Sequence, residues 1–310
     1  MGEGIKVGGY NPIIIDGVEF KDILNLSTKW QWVDDVRTLP VEPSRVVSYK
    51  NKIHLFSGTE HYRIEGNGIV ADVSLPSSLN TDAQLCSDDD FLYYIHNEDC
   101  YRFDGNAFTQ ICTIPISWDY SITKRNPETA VDNINKRLYS IFSTKRKTSS
   151  KTYYEAICGY VDLETLAWNS IATHPYPTST HLFMLNGDLY SLGGYPHNAT
   201  NHGGTTSIYK LNGGSWTEIL NTGLSDSNII PLNNTMLFED TNDNYIFDGT
   251  SIVRTNEMPF KPVSGKVIKH EHELHAFGSI YYPISTTESA NHGESKGHHQ
   301  VLKKVLCLED

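Results

Sequence analysis

The chain has 310 residues, with 25 basic and 37 acidic side chains and a formal net charge of −12 at pH 7. This acidic balance argues against nucleic acid as a main partner, because a phosphate backbone is met by clusters of Lys and Arg. No apolar run approaches the roughly 20 residues that span a membrane, and residues 1–25 do not resemble a secretory signal, so membrane insertion is not expected. The five cysteines have no close pairing and are expected to be buried free thiols of a chain made in a reducing cytoplasm.

Residues 1–28 are predicted to form an N-terminal extension with one short hairpin. Residues 13–15 and 18–20 are apolar runs, and Asp16-Gly17 between them is a typical two-residue hairpin turn. Since a lone hairpin is marginally stable in water, it must pack on the rest of the chain or on another subunit. Attachment or oligomerisation through the hairpin and simple packing are therefore both open.

Residues 30–39 follow and are predicted to form a single strand. The segment begins with two tryptophans, Trp30 and Trp32, and ends in Leu39-Pro40. Outer strands further along the chain share this aromatic start and apolar-Pro end. The whole chain has a composition that favours β-strands, because aromatic residues are enriched in strands and the chain has 18 tyrosines.

A four-residue core, mostly apolar at both ends, recurs six times along the remaining chain. Its starts are 39, 46, 51, 47 and 38 residues apart. Periods of 40 to 50 residues with several strands each are typical of propeller blades. We term this element strand b, and its copies begin at Ile53, Leu92, Leu138, Leu189, Met236 and Leu274.

Each strand b is preceded by a shorter apolar run, strand a, and followed by strand c after a connection of variable length. Five copies then continue into an outer strand d, and the sixth copy lacks one. Residues 30–39 have the features of the missing strand, and an unclosed ring would leave two exposed sheet edges. The sequence therefore predicts an all-β, six-bladed propeller over residues 29–310, with blade 6 completed by residues 30–39.

The fourth copy resembles the Kelch repeat. It has the diglycine Gly193-Gly194 after strand b, Tyr209 in strand c and Trp216 opening strand d. Residues 186–219 also resemble repeats of Kelch-like propellers encoded by bacteriophages and prophages of Gram-positive bacteria. That resemblance implies a tail or baseplate component, located in the virion after assembly in the bacterial cytoplasm; a cytoplasmic protein is the alternative.

Insertions in the b–c connections of three copies predict a binding face. They comprise residues 145–154, 195–206 and 280–299, and the propeller topology places all three on one face. Aromatic rings stack on sugar faces or side chains, while amides and hydroxyls supply orienting hydrogen bonds. The candidate ligand-binding residues are Tyr195, His197, Asn198, His202, Tyr281, Tyr282 and His292. Solvated loops without a ligand are the alternative interpretation.

Neither a metal nor another cofactor is expected. His270 and His272 lie at a predicted a–b turn, on the face opposite to the histidines of the insertions, so the two sets cannot share an ion. Asp88, Asp89 and Asp90 are interpreted as a solvated a–b turn. No catalytic motif of a hydrolase, metalloprotease or nucleotide-binding loop is present in the sequence.

The leading hypothesis is a non-enzymatic binding module of a phage or phage-derived tail. Its expected partner is a host cell-surface glycan or a neighbouring tail or baseplate protein. Two alternatives remain at this point: a carbohydrate-active Kelch-type enzyme, such as a sugar epimerase or oxidase, and a purely structural baseplate component.

Overall fold

The computed structural model describes residues 14–15, 18–19, 26–34, 39–79, 83–115, 122–124, 128–147, 152–177, 180–195, 204–224, 228–232, 234–239, 244–255, 266–270, 273–278 and 298–308. Every regular element in these residues is a β-strand. No helix among them is long and apolar enough to cross a membrane.

The first three strands precede the repeats. Strands β1 (Ile14–Ile15) and β2 (Val18–Glu19) pair as an antiparallel hairpin, where the sequence predicts one. Strand β3 (Leu26–Asp34) begins four residues before the predicted start at residue 30. Residues 35–38 of the predicted outer strand lie outside the described residues.

The remaining strands form sheets of consecutive antiparallel strands, which we number I to VI along the chain. Sheet I contains β4 (Arg45–Tyr49), β5 (Lys52–Ser57), β6 (Glu60–Glu65) and β7 (Gly68–Ala71). Sheet II contains β8 (Ala83–Ser87), β9 (Leu92–His96), β10 (Asp99–Phe103) and β11 (Phe108–Thr113). Sheet III contains β12 (Ile122–Lys124), β13 (Glu128–Asp132), β14 (Arg137–Lys147), β15 (Thr152–Asp162) and β16 (Trp168–Ser170).

The second half of the chain repeats this arrangement. Sheet IV contains β17 (His181–Leu185), β18 (Asp188–Leu192), β19 (Ser207–Asn212) and β20 (Ser215–Asn221). Sheet V contains β21 (Asn228–Pro231), β22 (Met236–Glu239), β23 (Asn244–Phe247) and β24 (Ile252–Thr255). Sheet VI contains β25 (Lys266–His270), β26 (Glu273–Gly278) and β27 (His298–Leu308), and β3 pairs with β27 as its fourth strand. This last pairing runs from Leu26 opposite Leu308 to Asp34 opposite Gln300.

The sheets are arranged radially around a common axis. The innermost strands contact one another in the order β4, β8, β13, β17, β21, β25 and back to β4. Ser48 Oγ in β4 lies 2.9 Å from His270 Nδ1 in β25, at the contact between sheets I and VI. The fold is therefore an all-β propeller.

Hydrophobic packing lies between neighbouring sheets, since each cluster of buried side chains draws on two of them. Phe56 of sheet I packs with Tyr94 and Phe103 of sheet II, and Phe183 of sheet IV packs with Phe238 and other residues of sheet V. Further clusters join sheets II and III, sheets III and IV, and sheets VI and I. Both faces of a strand are therefore buried, which explains runs such as Leu92-Tyr-Tyr-Ile95 without polar alternation.

The turns follow from residues that bind their own backbone. Asn186 and Gly187 have φ angles of 53° and 82°, as the predicted two-residue hairpin turn requires. Aspartates open five other turns: Asp88 and Asp132 precede strand b, while Asp104, Asp162 and Asp248 follow strand c. Each of these carboxylates accepts two backbone N–H groups within the next three residues, a typical Asx arrangement. The interpretation of Asp88, Asp89 and Asp90 as a turn is confirmed, but the Asp88 side chain is buried and not solvated, because its carboxylate binds the turn backbone.

The first predicted insertion has a different structure from the loop that the sequence suggests. Strand β14 continues to Lys147 and β15 begins at Thr152, so most of residues 145–154 extends a hairpin. Strand β12, which the sequence analysis does not predict, pairs with residues 144–146 of this extension. Paired backbone groups satisfy each other without water, and this favours strands over a solvated loop.

Candidate functional site

Of the seven predicted ligand-binding residues, Tyr195 is the one that lies within the described part of the chain. Tyr195 follows strand β18, is 41% exposed and lies beside Gly204, where an added Cβ would meet its ring at 3.1 Å. His197, Asn198, His202, Tyr281, Tyr282 and His292 lie outside the described residues. Their convergence on one ligand stays a prediction.

A ring of polar residues occupies one end of the innermost strands, and the sequence analysis does not identify it. In each sheet, the innermost strand pairs with strand b. The residue opposite the fourth residue of the strand b core is polar in every sheet. These positions are equivalent by register and surround the common axis. The six residues are Arg45, Gln84, Glu128, His181, Asn228 and Lys266, opposite Phe56, Ile95, Ile141, Leu192, Glu239 and Phe277.

This polar ring lies at the end of the axis from which the b–c connections emerge. Each ring residue pairs with a residue near the C-terminal end of strand b. The b–c connection begins directly after that end. Hydroxyls fix the entry of two innermost strands at this end: Ser44 Oγ donates to the Phe56 carbonyl at 3.1 Å, and Thr180 Oγ1 donates to the Leu192 carbonyl at 3.3 Å. The ring and Tyr195 therefore lie on the same face of the propeller.

Arg45 and Gln84 contact each other across sheets I and II. Arg45 Nε donates to Gln84 Oε1 at 3.2 Å, and Arg45 Nη1 donates to the Ser44 carbonyl at 2.9 Å. Gln84 Oε1 also accepts the backbone N–H of Leu85 at 3.3 Å. These bonds fix the plane of the guanidinium, a group that recognises oxygen acceptors in a defined geometry.

Glu128 and His181 form the equivalent contact between sheets III and IV. Glu128 Oε2 lies 3.7 Å from His181 Nδ1, and the two side chains are 16% and 36% exposed. The carboxylate can accept hydrogen bonds from a ligand, and an imidazole can donate or accept. Asn228 and Lys266 complete the ring by backbone position.

The opposite end of the axis has a cleft of about 460 Å³ between sheets I and II. It is lined by Ser48, Tyr49, Lys50, Asn51, Asp88 and Asp89. The Asp88 carboxylate accepts the backbone N–H groups of Asp90 and Phe91 and the Tyr93 hydroxyl at 2.6 to 2.8 Å. Lys50 Nζ donates to the Asp104 carbonyl at 2.9 Å. Since these charged groups serve the turns themselves, the cleft is a weaker candidate than the polar ring.

A third cluster lies inside sheet I. His54 Nδ1 and His61 Nε2 are 2.8 Å apart, and the Asp72 carboxylate completes a group whose possible ligand atoms lie within 4.8 Å of one another. It is the one group of this kind in the part of the chain that the structure describes. His54 and His61 are not among the histidines for which the sequence suggests a metal site, although the tight b–c turn of the first copy brings their two strands together.

Comparison with known proteins supports the fold and says nothing about function. No protein-family model and no curated protein matches the chain. The chain is similar to the structure of YjhT, with a TM-score of 0.59 and 12% identity over 87% of this chain and 95% of that one. The crystal structure of BamB from Moraxella catarrhalis aligns with a TM-score of 0.35 and 12% identity over 83% and 81% of the two chains. The first of these likenesses supports the propeller architecture.

Proposed function

We propose that this propeller is a non-enzymatic binding module that holds a glycan at the end of its axis where the polar ring lies. The polar ring carries the proposal: every sheet contributes a polar residue at one equivalent position. The next residue along most of these strands is apolar, so the polar residue at the ring position is not part of the apolar run that follows it. Six polar residues at the end of one axis instead suit a ligand with many hydroxyl groups.

The chemistry of the ring fits a glycan. Glu128 accepts hydrogen bonds from hydroxyls, while the Gln84 amide N–H groups and the Arg45 guanidinium donate to ring and hydroxyl oxygens. Tyr195, on the same face, offers an exposed aromatic ring of the kind that packs on the apolar face of a sugar. The predicted residues of the b–c insertions, including His197, Asn198 and Tyr281, would extend this surface.

A six-bladed, Kelch-like ring closed by β3 is part of the same proposal. The nine-residue pairing of β3 with β27 and the cyclic order of contacts between innermost strands support closure by the N-terminal strand. The Kelch-like diglycine has left-handed φ angles of 70° and 115° at Gly193 and Gly194. Trp216 Nε1 donates to the Ala172 carbonyl at 3.0 Å, so the tryptophan that opens strand d links two sheets.

Residues 186–219 resemble repeats of phage-encoded propellers, and this resemblance supports placing the module in a virion tail. The glycan would then belong to the host surface, and a neighbouring tail or baseplate protein is the other partner to be tested. The hairpin of β1 and β2 is the proposed point of attachment or oligomerisation. These assignments rest on the sequence resemblance.

One observation favours an enzyme acting on a sugar as a second candidate. Glu128 and His181 are an acid/base pair beside the proposed ligand, and such pairs transfer protons in many sugar-converting enzymes. Turnover of a bound sugar, detected by NMR of the ligand over hours, would separate catalysis from binding. An enzyme loses turnover in Glu128→Gln, while a binding module shows none in either form.

The test of the binding proposal is a glycan array followed by calorimetric titration of the best glycan. Arg45→Gln and Glu128→Gln should each weaken binding by 10-fold or more, the range for losing one charge-assisted hydrogen bond. Lys50→Gln removes a cation at the opposite end and should leave the affinity unchanged. Equal affinities in all three variants would place the glycan elsewhere, and binding of no glycan by the wild-type protein would favour a structural role.

A further inference from the structure

The three side chains of the cluster inside sheet I come from two neighbouring strands and from the residue that follows the outermost strand. His54 lies on β5, His61 on β6 and Asp72 directly after β7. The two imidazoles are almost completely buried, with 3% and 2% of their surface exposed. This position is distinct from the polar ring, so the inference below does not depend on the proposed function.

The tautomer of His61 is set by the backbone. Its Nδ1 donates to the Val73 carbonyl at 2.9 Å, so its Nε2 carries the lone pair that faces His54 Nδ1 at 2.8 Å. A histidine that donates one ring nitrogen to a backbone carbonyl and offers the other to an ion is the usual arrangement in metal sites. The ring of His61 is therefore oriented as in a metal-binding histidine, with the lone pair on Nε2.

The carboxylate of Asp72 is oriented in the same manner. Its Oδ1 accepts the Val73 backbone N–H at 2.8 Å, and its Oδ2 accepts Arg63 Nη1 at 2.8 Å. Arg63 also pairs with Glu65 at 3.2 Å, and this second partner can hold the guanidinium if Asp72 turns toward an ion. Ligating carboxylates in proteins are commonly supported by such second contacts.

Aromatic rings enclose both imidazoles. Phe56 stacks on His61 at a centroid distance of 4.3 Å, Phe103 approaches its edge at 5.4 Å, and Tyr49 lies 5.4 Å from His54. His54 Nδ1 and His61 Nε2 therefore face each other, away from solvent.

We propose that His54 Nδ1, His61 Nε2 and an Asp72 carboxylate oxygen form a site for Zn²⁺ or a similar divalent transition-metal ion. Two nitrogens and one oxygen are a common protein ligand set for zinc, with a fourth position left for water. Two nitrogens that each lie ~2.1 Å from a tetrahedral ion are ~3.4 Å apart, so the rings must separate by ~0.6 Å. The ring proton of His54 then resides on Nε2, so no net proton is released.

The experiment is calorimetric titration of the chelator-treated full-length protein with Zn²⁺. We expect one equivalent of Zn²⁺ bound per chain and a rise in Tm of about 5 °C at 100-fold excess over Kd. Tetrahedral Co²⁺ bound in place of Zn²⁺ should give visible absorption bands. Absence of a stoichiometric binding event in the wild-type protein would overturn the proposal.

Variants locate the site. His61→Gln and Asp72→Asn should each lower the affinity at least 10-fold and remove the rise in Tm, whereas His174→Gln, which alters another buried histidine, should retain both. A cooperative melt in chelator shows that each variant is folded. Wild-type affinity in both His61→Gln and Asp72→Asn would assign the ion to another site and contradict the proposal.

Discussion

His174 links the stability of the propeller to pH. It lies between sheets III and IV and is fully buried. Its Nε2 donates to Ser191 Oγ at 2.6 Å, and its Nδ1 accepts the Tyr176 backbone N–H at 3.0 Å. The rings of Tyr209 and Trp216 meet it edge-on at centroid distances of 5.3 and 4.6 Å. Both nitrogens are thus used by the neutral form, and a second ring proton would break the contact with Tyr176.

Burial lowers the pKa of His174 from 6.5 to about 4. The unfolded chain therefore binds a proton between these values that the folded chain does not, and stability falls as the pH drops from about 6.5 to about 4. A tenfold change in proton affinity is worth about 1.4 kcal/mol, so this histidine alone removes about 3 kcal/mol over that range. Above pH 6.5 it contributes no pH dependence.

Replacing His174 with Gln should remove this contribution. The assay is urea unfolding followed by tryptophan fluorescence at pH 7.5 and 4.5, for the wild-type protein and the variant. The variant loses packing and is less stable at pH 7.5, but the drop in its stability between pH 7.5 and 4.5 should be about 2.5 kcal/mol smaller than in the wild-type protein. His54 and His61 are retained in both proteins, so their effects cancel in this difference. Equal drops would refute the assignment of the pH dependence to His174.

Two further substitutions, Gly194→Ala and Trp216→Phe, test the contact between sheets III and IV by urea unfolding at pH 7.5, and Gly223→Ala is the control for the first. Gly194→Ala should cost more than about 3 kcal/mol, because its Cβ would overlap the Tyr176 carbonyl and its φ is +115°. Gly223→Ala, at φ +73° in open space, should cost only about 1 kcal/mol, and equal costs would mean that the overlap is relieved. Trp216→Phe should cost about 1–3 kcal/mol, because the Ala172 carbonyl loses its donor; an unchanged midpoint would show that water replaces it.

The repeat could be predicted from sequence because each copy encodes its own turns. Asn186-Gly187 and the aspartates that open other turns bind the local backbone, so short stretches determine where strands end. The buried strand b cores are equally local, since Leu92-Tyr-Tyr-Ile95 is apolar on both faces. Strand β12 could not be predicted in this way, because its partner, residues 144–146, lies 20 residues further along the chain.

The candidate sites were harder to predict because they depend on register. Arg45 and Gln84 are ordinary polar residues in the sequence, and only the pairing with strand b shows that they are equivalent positions of adjacent sheets. The structure shows the sequence signal to look for: in most copies a polar residue directly precedes the apolar pair of strand a, as in His181-Leu-Phe183 and Asn228-Ile-Ile230. Recognising it requires alignment of the copies on strand a as well as on strand b.

The central claim is that a glycan binds at the polar ring, and a crystal structure of the protein with the glycan selected by the array tests it most directly. The account predicts density for the sugar at the end of the axis formed by the starts of β4, β8, β13 and β17, with a ligand oxygen within 3.2 Å of Arg45 or Glu128. Density confined to the cleft between Lys50 and Asp89, or to the outer strands of the sheets, would contradict it.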